Sequence, residues 1–220
     1  GQAVGTAAAM AVQKNLGSRA IGEQCITELQ NRLLDNDQWL PGHVRAQPAI
    51  MRQAEVAGEG VLGDLKALFD GHERRLKYEN HWVEVEAEGY LELTWPEPVS
   101  LERVRMVVHS NLHDGKCMPC TYPKKGWNEQ MPAKMPKTLS ILVRVNGQWQ
   151  EVQKVSNNRQ RQIRLTIEGC YDGLRVLVKD TWGGQAAGVF ALEVGQPDYS
   201  APLQRVDWPE IVMTGSHSAA

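Results

Sequence analysis

Four side chains that bind metals well fall within twelve residues of one another: His109, His113, Cys117 and Cys120. A Cys-x-x-Cys pair can supply half of a zinc or iron–sulfur site, because two thiolates at that spacing reach one ion. The other half is not written nearby. There is no second Cys pair, and Cys170 stands alone, so a surface loop with free thiols, or a local disulfide in an exported protein, competes with the metal reading. Gly58, Gly60 and Gly63 spell Gly-x-Gly-x-x-Gly, the turn that cradles a dinucleotide pyrophosphate when a buried strand precedes it and a helix follows. The preceding MRQAEVA is too polar for such a strand, and barely two helical turns follow before Asp70-Gly71. A flexible loop is the expectation there. No Gly-x-Ser-x-Gly elbow and no His-Glu-x-x-His helix occurs, and Glu84 and Glu86 share a strand face where solvent exposure is expected in place of acid–base work.

Seven tryptophans stand against two phenylalanines, and six of the seven lie at or after Trp82. Sugar-binding sandwiches stack ligands on aromatic rings at loop ends, so Trp127 and Trp182, each beside a glycine, are candidate platforms for a carbohydrate ligand. Trp95 and Trp149 sit in alternating strands and are expected to fill the core.

The elements that must position these residues change character along the chain. GQAVGTAAAMAVQKN carries five alanines and two glycines in its first twelve residues, which favours a helix able to lie close to another backbone. Ser18 can cap a second helix, with Ile26, Leu29, Leu33 and Leu34 on one face, ending near Asp35 to Asp37. From about Trp82 the period becomes two. Leu91, Leu93 and Trp95 alternate with Glu92 and Thr94; Val104, Met106 and Val108 with Arg103, Arg105 and Val107; Leu139, Ile141, Val143 and Val145 with Ser140, Leu142 and Arg144. Asn146-Gly147 before Trp149 is a strong hairpin signal, since both residues tolerate positive φ. Further alternation at Ile163–Ile167, Leu174–Val178 and Val189–Val194 predicts an antiparallel β-sandwich.

Composition narrows the function classes. With 24 basic and 26 acidic residues the formal net charge is −2, so the basic excess typical of nucleic-acid binding is missing. The longest apolar-rich stretch is far short of the roughly 20 residues that span a bilayer. A soluble protein is expected, cytoplasmic or exported. Four cysteines in 220 residues are too few for a disulfide scaffold.

The opening GQAVGTAAAMAVQKN and the following ITELQNRLLDNDQWLPG resemble the C-terminal end of the flavin domain in a family of bacterial FAD-dependent oxidoreductases. ALFDG, YLELTWPEPVSLERVRMVV, MPKTLSILVRV and LRVLVKDTWGGQAAGVFALEV resemble the discoidin or galactose-binding-like sandwich that many members carry after it. The resemblance implies a C-terminal fragment, without turnover of its own, of an enzyme that transfers hydride between a substrate and the flavin. Its partner would be an N-terminal FAD domain of the same polypeptide. It implies that Gly1, Gln2, Ala3, Gly5 and Thr6 face the FAD, where helix N–H groups stabilise charge on the reduced ring. Some members carry an iron–sulfur cluster, for which no ligands are identifiable in these residues. Asp70, in Phe-Asp-Gly, resembles a calcium-binding loop of some discoidin-like modules, but an ordinary turn aspartate is the expectation. The chain is thus read as a helical remnant of the flavin α/β domain, comprising two helices, over 1–43. A linker and lead-in follow over 44–77, then a discoidin-like, jelly-roll sandwich over 78–196 and a flexible tail over 197–220. The competing reading, from another class, is a non-catalytic carbohydrate-binding or protein-interaction sandwich.

Overall fold

A computed structural model of the chain describes residues 1–74, 81–111 and 131–206. In chain order the elements are α1 (Gln2–Lys14), α2 (Ser18–Gln24), α3 (Ile26–Asp35), β1 (His43–Val44), a 3-10 turn at Ala49–Gln53, β2 (Glu55–Leu62), a 3-10 turn at Leu65–Phe69, β3 (Val83–Val108), β4 (Pro136–Val145), β5 (Gln148–Val155), β6 (Gln162–Thr181), β7 (Ala186–Val194) and β8 (Gln204–Arg205). They fall into two compact units, Gly1–Ala46 with the chain from Tyr199 onward, and Gln47–Asp198.

The first unit is helical. α1 stops at Asn15, whose left-handed φ of 52° turns the chain and lets its N–H bond back into the helix, a standard C-terminal cap. The single helix expected from Ser18 to Asp35 is instead two, because Cys25 adopts φ −126°, outside the helical range, between α2 and α3. The break turns the expected apolar stripe. Leu33 is buried, but Ile26 is 44% exposed, and Asn31 and Asp35 take interior positions. Both are satisfied there: Asn31 Nδ2 donates to the Thr27, Tyr199 and Ala201 carbonyls at 3.0, 3.1 and 2.9 Å, and Asp35 accepts from the Tyr199 hydroxyl at 3.1 Å. These bonds, with β1 opposite β8, tie residues 199–205 of the stretch read as a tail.

The second unit is the sandwich. Its strands run in the order β2-β3-β6-β4-β5, and β7 pairs with β3. The long strands β3 and β6 each serve both faces, as strands that turn a sandwich corner do. In β3, residues 90–94 pair with 177–173 of β6, the register shifts across Pro96–Pro98, and 103–107 pair with 166–162. β7 lies between two segments of β3, with Val189 opposite both Val83 and Val108. Inward side chains from both faces form one core, among them Leu91, Leu93, Trp95, Ile141, Leu174, Val104, Met106 and Leu192. Period-two patterning built this interior. Asn146 and Gly147 turn β4 into β5 with φ of 51° and 76°, as their residue types predict.

Three local expectations are corrected. The Gly58–Gly63 segment is not a dinucleotide turn: Gly58 to Leu62 belong to edge strand β2, paired with β3 and bulged between Glu59 and Val61, where Gly60 has φ +64°, and Gly63 follows its end. A Cβ on Gly58 would lie 2.6 Å from Val61 Cγ2 and 3.0 Å from the Tyr90 carbonyl, so close approach explains that glycine. Trp149 does not fill the core; it lies half-buried on the outer face, where the Arg175 guanidinium sits 3.8 Å from the Tyr90 ring centroid and 4.3 Å from that of Trp149. Arg105 and Val107, placed on the solvent side by alternation, are both fully buried. The outer face of β7 is covered too, with Val107, Phe190 and Ala191 in a second apolar cluster beside Trp82.

Candidate ligand platform at Trp182

Trp182 stands where three connections of the sandwich meet. It opens the short link from β6 to β7, facing the 131–135 stretch before β4 and the 156–161 link from β5 to β6. Backbone bonds lock the Trp182 link to the 131–135 stretch: the Trp182 N–H donates to the Met135 carbonyl at 3.1 Å, Gly184 to Ala133 at 2.9 Å and Gly188 to Lys134 at 2.9 Å. Glycine is required at Gly184, where a Cβ would fall 2.8 Å from the Ala133 carbonyl oxygen.

The indole is held at its polar end. Trp182 Nε1 donates to the Asn158 carbonyl at 2.6 Å. Asn158, 5% exposed, follows Asn157 in a left-handed conformation and bonds in three directions. Its Nδ2 donates to the Pro136 and Gln160 carbonyls, both at 3.1 Å, and its Oδ1 accepts from the Gln160 N–H at 3.0 Å. The ring packs half-buried against the core, and a Cβ on neighbouring Gly183 would meet nothing within 4 Å. Two cations lie over it: Lys137 Nζ is 5.3 Å and the Arg159 guanidinium carbon 5.9 Å from a Trp182 ring centroid. A half-buried aromatic ring fixed in orientation can stack the C–H face of a sugar. Asn158→Ala removes the buried hub of this corner, and a loss of about 2 kcal/mol in stability is expected, measured by urea denaturation; an unchanged midpoint would show that the loops hold without it.

Of the other residues singled out in the sequence, Trp127, His113, Cys117 and Cys120 lie outside the described residues. His109 does not stand open as a ligand: it is 5% exposed, stacked on Phe190 at 6.0 Å and edge-on to Trp82 at 5.8 Å. Among the described residues no group of three His, Cys, Asp or Glu side chains could hold a metal ion. Asp70 is a turn aspartate, accepting from the His72 N–H at 2.6 Å and meeting His81 Nδ1 at 2.7 Å. Burial pushes its carboxyl up, against the opposing pull of those two partners. Glu84 is an ion-pair member and not a free surface acid: burial would push it up, but bonds from Lys134 and Trp82 outweigh that and hold it below the usual carboxylate range. Gly1, Gln2, Ala3 and Gly5 are exposed at the start of α1 and Thr6 is half-buried. No described helix is long and apolar enough to cross a membrane.

What sequence reasoning missed here is Asn158, and its only signal was the Asn157-Asn158 pair between two strands. No protein-family model matches the chain, and no curated protein matches it. Among solved structures, the module GH31 CBM32-2, determined with bound GalNAc, superposes with a TM-score of 0.50 at 11% identity, over 65% of this chain and 97% of that one. The fold is a discoidin-like β-sandwich. The family 32 carbohydrate-binding module of C. perfringens NanJ, in complex with galactose, gives 0.48 at 10% identity over 66% and 94% of the two chains. A Streptococcus pneumoniae fucose-binding module gives 0.45 at 14% identity over 71% and 98%. In this discoidin-like unit Trp182 occupies an end of the sandwich, among loops and away from the sheet faces.

Proposed function

We propose that the sandwich is a carbohydrate-binding module that stacks a sugar ring on Trp182. The observation that carries the reading is the fixed, half-buried indole at a loop junction, pinned through Nε1 to a buried asparagine and bordered by open space at Gly183. A structure of the same fold with bound GalNAc supports it. Immobilised-glycan binding by the whole chain is the test. Trp182→Ala is expected to weaken binding by at least about thirtyfold, the effect of losing a central aromatic anchor worth about 2 kcal/mol. If the wild-type chain retains no glycan, the sandwich has an interaction role instead.

A second reading concerns the helical unit and has its own support. Along α1, Val4 is 74% and Val12 83% exposed, and a Cβ on Gly1 or Gly5 would meet nothing within 4 Å. In the oxidoreductase reading this face lies against a flavin domain, and the first-turn N–H groups point at the FAD, whose ring supplies the hydride chemistry. The visible absorbance of the purified full-length polypeptide decides this reading: a flavin spectrum supports it, and none removes it.

A further inference from the structure

We infer that the Trp182 platform selects sugars that carry a negative charge, a carboxylate or a sulfate; this rests on the carbohydrate reading above. Three charged groups surround the indole, and they do not cancel. Lys137 Nζ lies 3.3 Å from Asp180 Oδ2, and Asp180 Oδ1 accepts from the Thr181 N–H at 2.8 Å, so the lysine charge is balanced by a carboxylate that is itself held in place. Arg159 is different. Its side chain is exposed, its guanidinium lies over the indole of Trp182, and no carboxylate pairs with it among the described residues. One uncompensated positive charge therefore stands beside the ring, in a chain whose formal net charge is −2.

The position of that charge is built and not incidental. The Asn158 N–H donates to the Lys137 carbonyl at 2.9 Å, and the Gln160 N–H bonds the Asn158 side chain at 3.0 Å. Arg159 thus hangs from a backbone fixed on both sides, by the same asparagine that holds Trp182. Its guanidinium is brought near the indole without being used up by an ion pair. A guanidinium offers parallel N–H donors matched to the oxygens of a carboxylate or sulfate, while the indole takes the apolar face of a pyranose. A neutral sugar uses only the second contact, leaving the guanidinium to water. An acidic sugar uses both.

Titration calorimetry of the whole chain tests this with neutral glycans, the corresponding uronic-acid glycans and their sulfated forms. Within each matched set an acidic form is expected to bind about tenfold tighter at low salt, with the advantage shrinking as sodium chloride is added. The uronic and sulfated arms tell which anion fits. Arg159→Gln, at an exposed position, is expected to abolish the advantage of the acidic glycans over their neutral counterparts measured in the same variant. Equal affinities within the sets, or a preference that persists in Arg159→Gln, would overturn the charge selection while Trp182-dependent binding kept the carbohydrate reading. Failure of the wild-type chain to bind any of these glycans would remove that reading, and charge selection with it.

Discussion

Glu73→Ala is expected to cost the sandwich about 3 kcal/mol, because it removes a carboxylate that a fully buried arginine bonds through both terminal nitrogens. Arg105 is 0% exposed, and its two terminal nitrogens donate to the two oxygens of Glu73 at 2.5 and 2.6 Å. The pair sits on the outer face of β3, beside Val107 and the ring cluster of Trp82, His109 and Phe190. Arg161 closes the same region, donating to the Val108 carbonyl at 2.9 Å and to the Glu73 carbonyl, with its guanidinium 5.0 Å from the Phe190 centroid. Removing the carboxylate leaves the Arg105 charge in a place where water does not reach it. For a unit of this size the loss appears as a fall in Tm of roughly 6–12 °C, measured by scanning calorimetry. The double variant Glu73→Ala, Arg105→Met should recover most of it, since an apolar chain of similar length needs no partner. A single variant as stable as the wild type would mean that the arginine is neutralised by other groups.

Trp95→Ala is the second large effect, about 4 kcal/mol. The ring is 3% exposed in the shared core, and Nε1 donates to the Ile50 carbonyl at 2.9 Å, so truncation opens a cavity and also leaves a carbonyl unpaired. Trp95→Phe keeps most of the volume and loses only the bond, for about 1 kcal/mol. Trp149→Ala provides the contrast. That ring lies outside, against Arg144 and Arg175, and its loss should cost only about 1 kcal/mol. Urea denaturation of the three variants distinguishes the two tryptophans; equal losses for Trp95→Ala and Trp149→Ala would contradict the assignment of one to the core and the other to the surface.

The two rings also show where sequence reading stops. Both lie in alternating strands, and alternation says only that neighbouring residues face opposite ways. For Trp95 the phase is anchored by Leu91 and Leu93, all three on the buried side. Trp149 has no such anchor: β5 is the edge strand, with polar residues on both sides of it in QWQEVQKV, and its ring is captured by arginines from β4 and β6. The glycines at 58, 60 and 63 failed as a motif for a related reason. Their spacing fits a phosphate turn, but the chain uses it for close approach and a bulge at the edge of a sheet.

The candidate site was half legible. A tryptophan followed by glycines between two strands marks a loop ring, and Trp182 is one. That Asn158 would anchor it and Arg159 flank it depends on the β5–β6 link crossing to the β6–β7 link, a long-range closure that no local pattern encodes.

The sequence by itself determined the strands from Trp82 to Val194, the hairpin at Asn146-Gly147, the identity of most core residues and the helical opening, because each rests on the intrinsic period or φ preference of residues close along the chain. Only the tertiary structure decided that β3 and β6 bend to serve both faces, that Arg105 is buried on a face alternation assigned to water, and that Trp182, Asn158 and Arg159 share one corner. Those outcomes depend on which distant segments cover one another, and burial of a residue is set by what lies over it as much as by its own side chain.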